Sequence, residues 1–450
     1  MNKELNISYQ ILCKVCLDKS YVSIELNKCL NGVKDVNKAL ITKIVYGVLE
    51  KDITLEYFVS QYTKKLPNDK ILILLKMVAY CSKAVNGIPS FALVNEVVNI
   101  AKKVDKYSAG FVNAVSKKLI ANQIVLPSKK DYIKYLSVKY SYPEWVIKEL
   151  NKSKDLKFIE ELLATELTTL THIRINENEI SSDDFKAKLN RLDIHFEPSL
   201  YDYTIYVDYA KLNEHTELKK EYVVQGLPSI ITCNVLNATK GKVLDTCSAP
   251  GGKSIYLCSN PNLDVFACDI HGHRLDLVKK YAQNYNAKNI HFCLQDGTKL
   301  EPNWVNKFDY VLCDVPCSNL GVSRKKPDVF LNKSLNDAKS LASIQYKILE
   351  TSSNYVKKGG ILQYSTCTII DIENKNVIEK FLKNHTDFEL TEINVESINI
   401  ENNNNMYTFY PNLTKTEGFF VGRLKKNDNI IRLWKTRTLQ FIGTIWCAKV

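Results

Sequence analysis

The sequence predicts a Rossmann-like α/β sheet domain, preceded by an all-α domain and a small α/β connector. Three observations predict it. Short apolar runs end in acids at Asp245, Asp269, Asp296 and Asp314. The first run leads into a corner, Pro250-Gly251-Gly252, and then a helical stretch, Ser254 to Cys258. Strand, Gly-rich turn and helix form the opening unit of a nucleotide-binding sheet, whose ligands bind outside the carboxyl ends of the strands. Ahead of this sheet, residues 1–125 carry apolar residues at helical spacing.

In chain order, the helical stretch repeats Ile11, Leu12, Val15 and Cys16, then Ile41, Ile44, Val45, Val48 and Leu49, then Ile71, Leu72, Leu75, Val78 and Ala79. Another helix starts beside Pro89. The all-α domain is placed at 1–127 and the connector at 128–235. Within the connector Thr171–Asn176 and Tyr201–Val207 alternate as strands and Phe185–Leu192 is helical. Arg174 and the connector's Lys and Tyr residues suit an RNA groove, since aromatics stack on bases and cations track phosphates; a structural bridge fits these residues equally well. The sheet domain is placed at 236–426. It has strands at 242–245, 265–269, 291–296 and 308–314, a helix over 335–357, a fifth strand ending at Cys367, and a late strand over 417–426. Asn402 to Asn405 reads as a surface turn. Residues 427–450, with Arg432, Trp434, Lys435, Arg437 and Trp446, form a tail of open role.

Composition narrows the class. The chain has 450 residues, 45% of them hydrophobic, enough for two or three domains. The net charge of +12 suits a polyanionic partner. No apolar run reaches 18 residues and Met1-Asn-Lys-Glu-Leu5 lacks a signal-type core, so a soluble cytoplasmic protein is expected, with no membrane association. The 13 cysteines are scattered, and Cys268, Cys293 and Cys313 sit in apolar strands as small hydrophobes. Cys13 and Cys16 are the one C-x-x-C, without a second pair nearby, so no metal is expected.

The corner contains neither G-x-G-x-x-G nor G-x-x-x-x-G-K-[ST]. Asp245 closes the strand where a phosphate would be repelled. A ligand with a cationic amino acid end and an adenosine fits better, which points to S-adenosyl-L-methionine. Asp269 stands where a ribose diol is held, and Asp296 where an adenine amino group can donate.

Two thiols then carry the chemistry. Cys317 follows the fourth strand and Cys367 ends the fifth, both at the expected ligand edge. Methylation at carbon 5 of a pyrimidine needs such a group. A thiolate adds to carbon 6, carbon 5 takes the methyl, and loss of the carbon 5 proton expels the thiolate. An exocyclic-amine methyltransferase would instead place a polar-Pro-Pro-aromatic loop where Asp314-Val-Pro-Cys317 stands. Asp314 can bond the N3–amino edge of cytosine, contact the cofactor, or do both. The residues leave open which cysteine attacks.

Several stretches resemble known families. Lys43-Ile-Val-Tyr-Gly-Val-Leu-Glu50, Ile88-Pro-Ser-Phe-Ala-Leu-Val-Asn-Glu-Val97 and Ala109-Gly-Phe-Val-Asn-Ala-Val115 resemble the RNA-binding helical domain of the NusB antitermination factor. Asp245-Thr-Cys-Ser-Ala-Pro-Gly-Gly-Lys253, Asp314-Val-Pro-Cys-Ser318, Tyr364-Ser-Thr-Cys-Thr368 with Glu373-Asn374, and Gly418-Phe-Phe420 resemble the Sun/NOL/NOP RNA 5-methylcytosine methyltransferases. The resemblance implies that Cys367 is the nucleophile and Cys317 aids product release. It also implies that Cys247, Ser248, Ala249, Pro250, Gly251, Gly252 and Lys253, with Asp269, Asp296 and Asp314, hold the cofactor; Arg274 is counted with them. The NusB-like domain in front implies a cytosine of 16S rRNA as substrate, naked or in an early particle, with no obligate protein partner. DNA cytosine methyltransferases use a Pro-Cys thiol placed like Cys317, so reversed cysteine roles remain an alternative. So do transfer RNA as substrate and a non-catalytic RNA-binding protein. Two departures from the family stand out. Asn319-Leu320 follows Ser318 where Ser-Gly is usual, and Gln225-Gly-Leu-Pro-Ser229 lacks the usual acid at Gly226.

Overall fold

The computed structural model describes residues 2–33 and 35–428, so most of the tail at 427–450 lies outside the described residues. The chain forms two compact units, one of residues 1–165 with 322–337, the other of 166–321 with 338–450.

The first unit is helical. Helices Asn2–Leu17, Lys38–Glu50, Asp69–Ala84, Ser90–Val104 and Ala109–Ala121 bury one core built from the periodic positions, including Ile11, Leu12, Ile44, Val48, Leu75 and Val78. The helix Asp69–Ala84 is central: ten of its side chains are buried, among them Lys76, whose ammonium pairs with Asp52 at 2.7 Å and Glu56 at 2.8 Å. A buried cation without partners would cost several kcal/mol. The stretch expected as one connector is divided. Helices Tyr132–Tyr140, Glu144–Leu150 and Leu156–Ala164 belong to this unit, where Thr54 Oγ1 donates to the Val138 carbonyl and Ser141 Oγ accepts from Ile53 N–H. The segment 322–337 also belongs here. Leu331 packs on the helical core, and the Asp328 carboxylate accepts from Val22 N–H at 3.3 Å, at the start of the helix Val22–Leu30.

The second unit holds two sheets. The smaller is antiparallel, in the order β2-β3-β1-β4, from β1 (Thr171–Ile175), β2 (Phe196–Pro198), β3 (Thr204–Val207) and β4 (Tyr222–Val224). The helix Ser182–Arg191 covers it through Phe185 and Leu189. The larger sheet contains β5 (Gly241–Asp245), β6 (Leu263–Asp269), β7 (Ile290–Leu294), β8 (Phe308–Asp314), β9 (Val356–Thr366), β10 (Phe388–Leu390), β11 (Glu401–Asn403), β12 (Met406–Phe409) and β13 (Phe419–Lys426). Its order is β11-β12-β13-β9-β8-β5-β6-β7, with β10 also paired to β13. Strands β5 to β9 are parallel neighbours, and β13 runs antiparallel beside β9. The strand order reverses at β5, so the carboxyl ends of β5 and β8 flank the crevice where such sheets bind ligands. Asn402 to Asn405 is a hairpin, with Asn404 and Asn405 at positive φ between β11 and β12. The third apolar run stops earlier than expected: β7 ends at Leu294, and Asp296 lies in the turn beyond. The long helix spans Leu335–Ser353, because Tyr355 and Val356 already turn into β9.

Candidate active site

The corner after β5 is shaped by its own side chains. Gly251 has φ 118°, and a Cβ there would meet Val278 at 3.2 Å, so both backbone and space call for glycine. Ser248 N–H donates to the Cys268 carbonyl at 2.7 Å, tying the loop to β6. Asp245 is buried and accepts from Ser254 Oγ at 2.6 Å. Burial pushes its carboxyl up to about 7. Asp245 Oδ1 and Ser248 Oγ are buried with no hydrogen-bond partner in the described protein. Buried polar atoms are ordinarily paired, so this loop leaves donor and acceptor capacity for a ligand. Cys247 points the other way, into the apolar cluster with Leu244 and Cys313, and burial drives its thiol well above the ordinary range.

Asp269, at the end of β6, is buried and accepts from His271 N–H at 2.9 Å. Arg274 bridges the edge: its guanidinium lies 3.5 Å from the Asp269 carboxylate and donates to the Ala249 carbonyl at 3.1 Å. Asp269, Arg274 and the 247–253 loop therefore form one wall. Asp296 accepts from Thr298 N–H and Thr298 Oγ1, at 3.0 and 2.7 Å, and these bonds hold its carboxyl below the usual range.

The other wall carries the thiols. Cys317 Sγ and Cys367 Sγ are 3.2 Å apart. Cys317 is buried and Cys367 is partly exposed. A hydrogen bond in which the Cys317 thiol donates to Cys367, together with burial, raises the Cys317 thiol well above its ordinary value. At the end of β8, Asp314 accepts from Lys253 Nζ at 2.5 Å and from Ser365 Oγ at 2.8 Å. Burial works against the Lys253 charge, but Asp314 outweighs it and the ammonium is held above its ordinary value. The same ammonium lies 5.3 Å from the centre of the Phe419 ring.

A buried carboxylate supports the Cys317 loop from below. Glu373 accepts from Ser318 N–H and from Gln345 Nε2, each at 2.8 Å. Ser318 Oγ and Thr368 Oγ1 share a hydrogen at 2.9 Å, and Gly321 N–H donates to the Cys367 carbonyl at 3.0 Å. Asn374 accepts from Thr366 Oγ1 and donates to the Thr368 carbonyl. These bonds clamp the two cysteine-bearing segments together.

Geometry thus brings together Cys317, Cys367, Asp314 and Lys253 on one side, and Asp269, Arg274 and the glycine corner on the other. Glu373, named above only as part of a resemblance and given no role, lies in the turn Asp371–Glu373 and bonds the backbone of the Cys317 loop. Ser365 and Asn319 also belong to the site. Ser365 lies within the Tyr364–Thr368 stretch that carries the resemblance, and Asn319 was marked only as a departure from it. Arg174 departs from the RNA-groove expectation. It is buried, donates to Gln225 Oε1 and lies 5.0 Å from the centre of the Tyr256 ring. The missing acid at Gly226 also has a local account: a Cβ there would stand 3.4 Å from the Glu417 carboxylate, which already occupies that space. Among the described residues no cluster of His, Cys, Asp and Glu suits a metal ion, and no helix is long and apolar enough to cross a membrane.

Comparison with known proteins agrees with this architecture. The 16S rRNA methyltransferase RsmB/F family matches residues 233–425, and the NusB family matches residues 3–120. A probable ribosomal RNA small subunit methyltransferase B of Bacillus subtilis is 29% identical over 442 residues, covering 94% of this chain and 98% of the relative. A ribosomal RNA small subunit methyltransferase B of Photorhabdus laumondii is 30% identical over 419 residues, covering 90% and 94%. The crystal structure of PH0851 shares the fold over 95% of this chain and 99% of that one, with a TM-score of 0.80 at 20% identity. A methyltransferase homologue from Pyrococcus horikoshii shares it over 67% of this chain and all of that one, with a TM-score of 0.56 at 22% identity. The chain belongs to the ribosomal RNA small subunit methyltransferase B family.

Proposed function

We propose that this protein uses S-adenosyl-L-methionine to methylate carbon 5 of a specific cytosine in 16S rRNA, through a covalent bond between Cys367 and carbon 6. The observation that carries the reading is the pair of sulfurs 3.2 Å apart, one partly exposed and one buried, beside the Asp314–Lys253 pair.

The site fits the methyl donor. Unpaired Asp245 Oδ1 and Ser248 Oγ, and the Gly251-Gly252 backbone, suit its amino acid end; Asp269, oriented by Arg274, suits the ribose; Asp296 suits the adenine. When bound, it supplies an electrophilic methyl group on a sulfonium. Every other step belongs to this chain. The base must leave its stack to expose carbon 6. The Cys367 thiolate forms the S–C6 bond while the ring's C5=C6 electrons shift toward N3, which takes a proton through Asp314 at the N3–amino edge and leaves carbon 5 as the nucleophilic end of an enamine. Carbon 5 would then form its bond to the methyl group as the methyl–sulfonium bond breaks, leaving a neutral thioether, and N3 returns its proton. Cys317, its own proton having passed to solvent, takes the carbon 5 proton, the S–C6 bond breaks, and Cys367 leaves as thiolate. The partly exposed Cys367 is the thiol open to a base, and the buried Cys317 lies 3.2 Å from it, within reach of the same ring. The helical unit, with its NusB match, supplies RNA affinity and orientation.

The test is transfer of a labelled methyl group to unmodified 16S RNA and to transfer RNA, followed by bisulfite mapping. The expected result is one labelled cytosine on 16S RNA. Label on transfer RNA alone would keep the chemistry and discard the substrate. No label on either would overturn the reading.

A further inference from the structure

The loop after Cys317 contains a side chain that the steps above do not use. Asn319 stands at φ 62°, a left-handed conformation that Asn and Asp tolerate better than other residues with a side chain. Its Oδ1 lies 2.7 Å from Cys367 Sγ and 3.7 Å from Cys317 Sγ. The carbonyl oxygen thus accepts from Cys367 and lies within reach of Cys317. The residues on either side are pinned, Ser318 by Glu373 and Thr368, Gly321 by the Cys367 carbonyl. The amide therefore has a fixed base from which to reach the sulfur.

We propose that Asn319 is a positioning residue for the nucleophile: its amide holds the Cys367 sulfur, accepting from the thiol through Oδ1 and, with the amide turned over, donating from Nδ2 to the thiolate. This rests on Cys367 being the attacking thiol. A primary amide carries both an acceptor and donors on one carbon, so it can follow the sulfur through a change of charge. The proton released by Cys367 passes to solvent, which reaches this partly exposed thiol. Glycine would offer the sulfur nothing, and a carboxylate would offer acceptors only and repel the thiolate. The other titratable groups around the pair are Cys317, Asp314 with Lys253, Glu373 and Tyr364 beneath the loop, and Glu417 on the approach to β13. None of these groups is removed when residue 319 is changed, so the variants differ from wild type in the side chain at 319.

The test alkylates the free full-length protein with iodoacetamide across a pH series and follows the Cys367 peptide by mass spectrometry. Wild type, Asn319→Gly and Asn319→Asp are compared; both replacements accept the positive φ, and Asn319→Asp also keeps the side-chain shape. The charge-assisted bond from Nδ2 to the thiolate outweighs the neutral bond from the thiol to Oδ1, so in Asn319→Gly the midpoint should rise by about one unit, slowing alkylation at pH 7 by about tenfold, and in Asn319→Asp it should rise further. Methyl transfer by Asn319→Gly should lose about tenfold in kcat, with KM for RNA within about twofold. A Cys367 profile in Asn319→Gly that superimposes on wild type overturns the proposal, whether or not transfer falls. Alkylation needs neither RNA nor methyl donor. Failure of the cytosine reading would instead appear as no methyl transfer by the wild type.

Discussion

Glu373 Oε2 accepts from Ser318 N–H at 2.8 Å, joining a carboxylate on the turn after β9 to the backbone beside Cys317, 55 residues away in sequence. The same oxygen takes Gln345 Nε2 at 2.8 Å, so one buried atom links three segments of the chain.

Replacing Glu373 tests it. Glu373→Ala leaves Ser318 N–H and one of the two Gln345 Nε2 donors unsatisfied in a buried place, the other still bonding the Pro316 carbonyl, which should cost roughly 2–4 kcal/mol of stability. Glu373→Gln keeps an acceptor and should cost about 1 kcal/mol. Urea unfolding measures both. A Glu373→Ala protein as stable as wild type would show that the loop is held by other contacts.

Gly321 closes the other end of the loop. Its carbonyl accepts from Gly418 N–H at 2.8 Å, and a Cβ on Gly321 would lie 2.0 Å from the Gly418 carbonyl oxygen. Both contacts are backbone, so neither can rotate away. Gly321→Ala should lower stability by about 1–3 kcal/mol, through overpacking, and reduce methyl transfer. Thermal melting and a transfer assay check the two effects.

Arg274 ties Asp269 to the Ala249 carbonyl, on the wall opposite the two thiols. Arg274→Ala should weaken binding of S-adenosyl-L-methionine by about tenfold, or about 1.4 kcal/mol, in calorimetry. Alkylation of Cys367 should be unchanged in the same variant.

Asp245 predicts a pH dependence. Its carboxyl is raised to about 7 in the folded chain by burial, against an ordinary value of 3.8. The folded state therefore holds the proton more tightly than the unfolded state. Its contribution is fully present below pH 3.8 and is lost as pH rises toward 7. Asp245→Asn remains neutral throughout. The stability of Asp245→Asn relative to wild type, measured by urea unfolding without ligand, should rise between about pH 4 and pH 7 and then level off. A difference independent of pH would contradict the raised value.

Much of this fold was legible because each element carries a local signature. Val243-Leu244 and Val265-Phe266-Ala267-Cys268 are apolar enough to be buried strands, and Asp245 and Asp269 end them where the sheet edge meets solvent or ligand. The helical stretch was legible from its 3.6-residue period. What escaped depends on contacts distant in sequence. Residues 322–337 follow the Pro-Cys loop in sequence, yet Asp328 and Leu331 pack into the first unit, and neither residue announces that partner. Arg174 reads as an exposed cation in an alternating strand, but the ring of Tyr256 covers it. Asp296 lies beyond β7 because the ladder with β6 ends at Leu294, while apolarity alone cannot mark the last paired residue. In the site, the cysteines were visible as residue types at strand ends. Asn319 was visible only as a departure from a family pattern, and its contact with Cys367 depends on a left-handed turn that the sequence does not disclose.

The most direct measurement of the central claim is a denaturing gel of Cys317→Ala incubated with 16S RNA and labelled S-adenosyl-L-methionine. Loss of Cys317 should block release after carbon 5 is methylated, so a labelled protein–RNA species should survive denaturation and disappear when Cys367→Ala is added. Absence of that species, or its persistence without Cys367, would contradict the assignment of Cys367 as nucleophile and Cys317 as the releasing group.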